Sequence, residues 1–308
     1  MNLLDAEVLP EIDPVGPRDR RAWFALRMRP RVPASEPGVQ FVLAIDRSSS
    51  MRGDKLEQAR LAATVLIEML RAEDELAILA FDEHVRVMLP PQRADWRGKN
   101  AARLVIAGMQ AGRGTALHGA AQQSLALANQ LSHGHAILIT DGFPYTGITD
   151  AAKIIAMVGE EAGLATLTTI GVGSELDASL LAAMAGVGGG RFLHVDAGGD
   201  LVGTVGGELA TVRGAVTGRV QLCIRGARGV AIATAPHYAS VRTTSDGRSV
   251  LTATLAPAVD GEERLVAFEL AWERELGVGA HQVALVTVEV GLPGSTSAEH
   301  LELPVRLA

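Results

Sequence analysis

Two runs in this chain are apolar at nearly every position and each ends at an aspartate: Phe41-Val42-Leu43-Ala44-Ile45 before Asp46, and Ala136-Ile137-Leu138-Ile139-Thr140 before Asp141. Runs this short, without polar alternation, suit strands covered on both faces, and such strands belong to parallel sheets packed between helices. The surrounding segments alternate to match. Segment 40–46 leads into Leu56, Ala59, Ala63, Leu66, Ile67 and Leu70 at helical spacing, which predicts a helix over about 55–71 with Asp54 as its N-cap. Strands over 76–81 and 85–89 are joined by Asp82-Glu83-His84, short enough for a hairpin. Helices near 100–109 and 116–131 precede the strand that ends at Asp141; a helix near 150–161, a strand at 165–172, a helix at 177–185, a strand at 191–195 and a helix at about 200–213 follow. Repeated strand–helix units imply an α/β fold: a doubly wound, mostly parallel sheet with right-handed crossovers and its ligand crevice at the carboxyl ends of the strands.

Those strand ends carry oxygen ligands. Asp46, Ser48 and Ser50 stand at alternate positions, Thr115 closes the loop Gly112-Arg113-Gly114-Thr115, and Asp141 precedes Gly142. A set of carboxylates and hydroxyls suits a hard cation such as Mg2+ or Mn2+, not zinc or copper. Each residue also has an ordinary alternative: Ser48, Ser50 and Thr115 as helix caps, Asp141-Gly142 as a turn. Taken together, the five resemble the metal-ion-dependent adhesion site of the von Willebrand factor type A family, whose pattern is Asp-x-Ser-x-Ser, then Thr in a glycine loop, then Asp before Gly. All five positions match in order, with Arg113 standing where the family usually has glycine. Family-like stretches run from Gly38 to Arg213 and include the Gly188-Gly189-Gly190-Arg191-Phe192 turn.

The resemblance implies a metal held by Asp46, Ser48, Ser50, Thr115 and Asp141, no catalytic residue, and a partner protein whose Asp or Glu completes the coordination. Bacterial members often work within multi-protein systems. Arg47, Met51, Arg113, Phe143 and Tyr145 flank the ligands and are expected to form the rim of the contact. One alternative is a scaffold with a structural ion that binds its partner through another face. A second is a phosphohydrolase with Asp46 as nucleophile; such enzymes carry another acid two residues on, where this chain has Ser48.

After Arg213 the character changes. Segments 216–225, 229–235, 238–243, 248–255, 263–272, 281–290 and 300–307 are short, rich in Val, Thr and Leu, and punctuated by Gly, Pro, Asp and Ser, as in an antiparallel sandwich. The alternation Trp23, Ala25, Arg27, Arg29 reads as one more strand with a solvated face, lying before the α/β unit, so the two ends of the chain are expected to pair. LAPAVDGEERLVAFEL resembles the sandwich flanking the type A domain in some bacterial proteins. The expected division is an N-terminal segment over 1–37, the α/β domain over 38–213 and the sandwich over 214–308.

Composition removes other classes. Lys and Arg total 28 against 35 Asp and Glu, a net charge of −7, and aromatics make up 4 %, which argues against nucleic acid and anionic membrane as partners. No window offers 18 uninterrupted apolar residues, and the start MNLLDAEVLPEIDPVG has acids and prolines where a secretory signal has a basic and then a long apolar stretch. The expectation is a cytoplasmic protein of the bacterial, intracellular type. The single cysteine, Cys223, excludes an internal disulfide and reads as a strand residue. His84, His118, His133, His135 and His194 lack zinc spacing and read as loop residues, and Gly188-Gly189-Gly190 opens a strand, not a phosphate-binding helix.

Overall fold

The computed structural model describes residues 4–10, 20–31, 38–131, 134–196, 198–215, 217, 219–236, 239–255, 257–258, 262–272, 280–291 and 298–307. They fall into two compact units, one over 38–215 and one made of the remaining segments on either side in sequence. After strands β1 (Leu4–Pro10) and β2 (Arg21–Pro30), the chain enters the first unit: β3 (Gln40–Asp46), α1 (Asp54–Met69), β4 (Glu75–Phe81), β5 (Val85–Arg93), α2 (Trp96–Ala107), α3 (Leu117–Gln130), β6 (His135–Thr140), α4 (Ala151–Glu161), β7 (Thr166–Val172), α5 (Ala178–Val187), β8 (Gly189–Val195) and α6 (Leu201–Gly214).

These strands form one sheet in the order β5-β4-β3-β6-β7-β8, parallel throughout except for the β4–β5 hairpin. The apolar runs are explained residue by residue. Phe41, Leu43 and Ile45 join a core with α1, α2 and α6, while Val42 and Ala44 join a separate core with α3, α4 and α5. Alternate side chains of a strand point to opposite faces, so a strand buried on both faces has no position left for a polar residue. The chain leaves β3 toward β4 in one direction and continues from β6 toward β7 and β8 in the other. The strand order therefore reverses between β3 and β6, where an open sheet of this kind parts its loops into a crevice. Edge strand β5 accommodates Pro90 and Pro91 where its register with β4 shifts, between the Leu76–Gln92 and Ile78–Leu89 pairs.

Two expectations need correction. Gly53, at φ 85°, occupies the N-cap of α1, and Asp54 is the first helical residue; its charge still favours the helix N-terminus. The histidines are not all loop residues: His118 lies on α3, His194 on β8, and His135 is buried at the start of β6, whereas His133 lies outside the described residues. His135 Nε2 meets Glu208 Oε1 of α6 at 3.0 Å, Thr168 Oγ1 donates to the same oxygen at 2.6 Å, and Arg191 Nε donates to Oε2 at 3.0 Å. Burial pushes the Glu208 carboxyl up, but the bonds from His135, Thr168 and Arg191 together outweigh it and hold its pKa at about 2. At the end of α6, Arg213 Nη2 donates to buried Asp74 at 2.7 Å, and Asp74 also accepts from the Val39 and Arg71 amides.

The second unit holds β1, β2, β9 (Val220–Gly226), β10 (Val230–Thr234), β11 (Ser240–Thr243), β12 (Ser249–Leu255), β13 (Arg264–Trp272), β14 (His281–Gly291) and β15 (Ala298–Leu307). They make two antiparallel sheets, β1-β2-β13-β10 and β11-β12-β9-β14-β15, over one shared core. Period-two patterning sets the register: Ala22, Phe24, Leu26 and Met28 face inward, and Phe24 lies opposite Phe268 with ring centroids 5.7 Å apart. On the outer face Arg27 reaches Glu7 at 2.8 Å, Arg31 reaches Asp5 at 2.7 Å and Arg29 reaches Glu263 at 2.5 Å. Cys223 lies in β9. Because β2 sits between β1 and β13, deletion of residues 1–32 removes an interior strand. We expect amide exchange in β9–β15 of that deletion to lose most of its protection while β3–β8 keep theirs; unchanged protection of β13 would contradict the pairing.

Candidate metal-binding site

The carboxyl ends of β3 and β6 bring Asp46 and Asp141 to the point where the strand order reverses. Asp46 is wholly buried, with both oxygens in use: Oδ1 accepts the Ser48 amide at 2.7 Å and Oδ2 accepts the Thr140 hydroxyl at 2.5 Å. From there a chain of hydroxyls runs outward. Ser50 Oγ donates to Asp141 Oδ1 at 2.8 Å and stands 2.9 Å from Ser48 Oγ. Asp46, Ser48, Thr115 and Asp141 are each at most 2 % exposed, and Ser50 alone of the five lies at the surface. Ser48 makes no cap to the short turn that follows it, and Ala116, not Thr115, occupies the N-cap of α3.

Thr115 is delivered by the loop between α2 and α3. That loop is anchored through Gly112 N to Arg47 O at 2.6 Å and Ala116 N to Asp82 O at 2.7 Å. Gly114 turns it with φ 65°, a value glycine adopts without cost. The Thr115 carbonyl then accepts the Tyr145 and Thr146 amides, both at 3.1 Å, joining this loop to the one after Asp141. A Cβ placed on Gly142 would stand 3.7 Å from both Ser50 Oγ and Thr115 Oγ1. The missing side chain thus leaves a small cradle between two hydroxyls, above two buried carboxylates.

Two sequence-expected rim residues lie elsewhere. Met51 is fully buried among the α1 side of the core, because the turn after Ser48 rotates its side chain inward. Arg47 is drawn onto Asp82 Oδ2 at 2.6 Å and keeps little exposure. Arg113 is exposed, and Phe143 (40 % exposed) and Tyr145 (71 %) lie edge to face with centroids 6.4 Å apart. Sequence reasoning overlooked Thr140, which reads as a strand residue but binds Asp46, and Lys55, whose ammonium pairs with Asp141 Oδ2.

Burial dominates the Asp46 carboxyl and pushes its pKa up to about 6 against the bonds from Thr140 and Ser48, with the Asp141 charge adding to the rise. Two buried carboxylates with one ammonium, paired to Asp141, leave negative charge uncompensated. That charge, the all-oxygen donor set and the open cradle at Gly142 fit a hard divalent cation.

The profile of the family described as "von Willebrand factor type A domain" matches residues 39–193, just over half of the chain. Human inter-alpha-trypsin inhibitor heavy chain H4 is 34 % identical over 170 residues, covering 50 % of this chain and 18 % of that protein. The uncharacterized protein YfbK of Escherichia coli K12 is 32 % identical over 167 residues, 52 % of this chain and 29 % of its own length. The chain thus spans less than a third of either relative. Among solved structures, a von Willebrand factor type A protein from Catenulispora acidiphila superposes with a TM-score of 0.79 at 19 % identity, covering 99 % of this chain and 73 % of that one. The ArnB paralog VWA2 from Sulfolobus acidocaldarius gives 0.65 at 17 % identity, covering 99 % of this chain and 76 % of that one. These two likenesses are of fold. Among the described residues no helix is long and apolar enough to cross a membrane. With the sheet order, the two strand-end acids and the profile all falling on the same segment, this chain belongs to the von Willebrand factor type A domain family.

Proposed function

We propose that this protein is a metal-dependent protein-binding module: Asp46, Ser48, Ser50, Thr115 and Asp141 hold one Mg2+ or Mn2+, and an Asp or Glu of a partner protein completes the coordination. Domains of this family are generally protein-interaction modules, often metal-dependent. The observation that carries the reading is the connected set of two buried carboxylates and a hydroxyl chain that reaches the surface only at Ser50. The ion, when bound, supplies an electrophilic centre for one external carboxylate oxygen. The chain's residues do the rest. Thr140 and the Ser48 amide fix the Asp46 carboxylate, the Tyr145 and Thr146 amides fix the Thr115 loop, and Arg113, Phe143 and Tyr145 offer a partner one charged and two aromatic contacts at the rim.

The hydrolase alternative is disfavoured by the same geometry. A nucleophilic Asp46 must itself touch the substrate, yet it is wholly buried, and position 48 offers a hydroxyl where a second acid is needed. The partner, as a member of a multi-protein bacterial assembly, is identified by affinity capture with and without chelator. We expect capture in Mg2+ to be lost in EDTA and lost again with Thr115→Ala. A partner retained equally in all three conditions would move the binding face to the antiparallel sheets and leave the ion a structural role.

A further inference from the structure

Lys55 enters the site from the second residue of α1. Its Nζ pairs with Oδ2 of Asp141, the carboxylate that also accepts Ser50, and its side chain is 31 % exposed against 0 % for Asp141. The seat is built on a second side. A Cβ on Gly173, just after β7, would lie 3.2 Å from Lys55 Cε and 3.3 Å from Nζ, so a side chain there would crowd the ammonium and the glycine leaves it in place. The residue type is unusual for this chain, which has three lysines, Lys55, Lys99 and Lys153, against 25 arginines. A planar guanidinium suits bidentate pairing, whereas an ammonium is a compact point charge. Here the point charge stands on a carboxylate of the proposed metal-binding set.

We propose that Lys55 is a tethered counter-cation that competes with the divalent ion for Asp141 and so sets the metal concentration at which the site loads; this rests on the metal-binding reading above. An ammonium in contact with Asp141 compensates one of the two buried carboxylates before loading. An ion that takes Asp141 must break that pair and displace a like charge. Both effects weaken metal binding, and both vanish with a neutral side chain. Removing a hydrogen-bonded charge from a partly buried pair is expected to change affinity about tenfold or more.

The test is calorimetric titration of the full chain with MgCl2, comparing wild type, Lys55→Met and Lys55→Arg, together with thermal melts in EDTA and in saturating Mg2+. We expect Lys55→Met to bind Mg2+ about tenfold more tightly, Lys55→Arg to gain nothing, and the Lys55→Met melting temperature to fall below wild type in EDTA but not in Mg2+. Equal affinity in wild type and Lys55→Met, or weaker binding in the variant, overturns the competition while leaving the metal site standing. No binding by any of the three proteins overturns both. A readout on wild type alone covers a variant that does not fold. Reductive methylation of Lys55, followed by mass spectrometry with Lys99 and Lys153 as internal references, should rise when Mg2+ is added, and an unchanged ratio refutes displacement.

Discussion

Asp46→Asn should give a protein that is more stable than wild type at pH 7.5 in EDTA, by about 2–3 kcal/mol, and that has lost Mg2+ binding. The folded pKa of Asp46, about 6, lies above its ordinary 3.8. Its ionised form is therefore a cost to the fold: absent below pH 3.8, growing as pH rises, and complete above about 6. Two units of pKa correspond to about 3 kcal/mol, of which the amide recovers most. Its oxygen keeps the Ser48 amide, and its nitrogen donates to the Thr140 hydroxyl. Urea titrations at pH 4 and pH 7.5 should show the two proteins equal at the lower pH and separated at the higher. Mg2+ should then stabilise wild type by mass action and leave the variant unmoved. A variant weaker than wild type at pH 7.5 would sink the claim that this carboxylate is kept for a ligand at the expense of stability.

Glu208→Ala is expected to have the largest effect on stability outside the metal site, about 3 kcal/mol and roughly 10 °C in the melting of the α/β unit. The alanine leaves His135 and Thr168 in a dry pocket without their shared acceptor, and leaves Arg191 only its bond to Thr211 Oγ1 at 3.0 Å. Glu208→Gln keeps the volume and one acceptor and should lose less. The pH dependence separates charge from packing. The folded pKa, about 2, lies below the ordinary 4.5, so the stabilisation is fully present above pH 4.5 and is lost as pH falls toward 2. Wild type should weaken relative to Glu208→Gln over that window in calorimetric scans. Parallel curves would mean that the network contributes by packing alone.

The α/β core was legible because its signals are local. A strand such as Phe41–Ile45, buried on both faces, reads as an unbroken apolar run, and the acids at its end and at the end of β6 are adjacent in sequence to the strands that place them. The strands after Arg213 were legible for the related reason that turn residues bound each one. β1 was not. Asp5, Glu7 and Pro10 obscure its alternation, and it is held by pairing with β2 and by Arg27 and Arg31, partners 20 and 26 residues away. The same distinction runs through the site. Placing Met51 at the rim ignored the turn that points it inward, and Arg47 answers to Asp82, 35 residues on. Lys55 read as an ordinary helix start because its partner, Asp141, lies 86 residues later.

The pairing of Phe24 with Phe268 spans 244 residues. During synthesis at about 5–20 residues per second, β2 leaves the ribosome roughly 10–50 s before β13 exists to receive it. Through that interval Ala22, Phe24, Leu26 and Met28 form an oily stripe that β1 can border but not cover, while all of β3 to α6 is made and can fold behind it. The nascent chain therefore carries a finished α/β unit and an open half-sheet at once. Its yield of native protein depends on whether something shields that stripe, a chaperone or simply a fast ribosome, until the far end of the chain arrives.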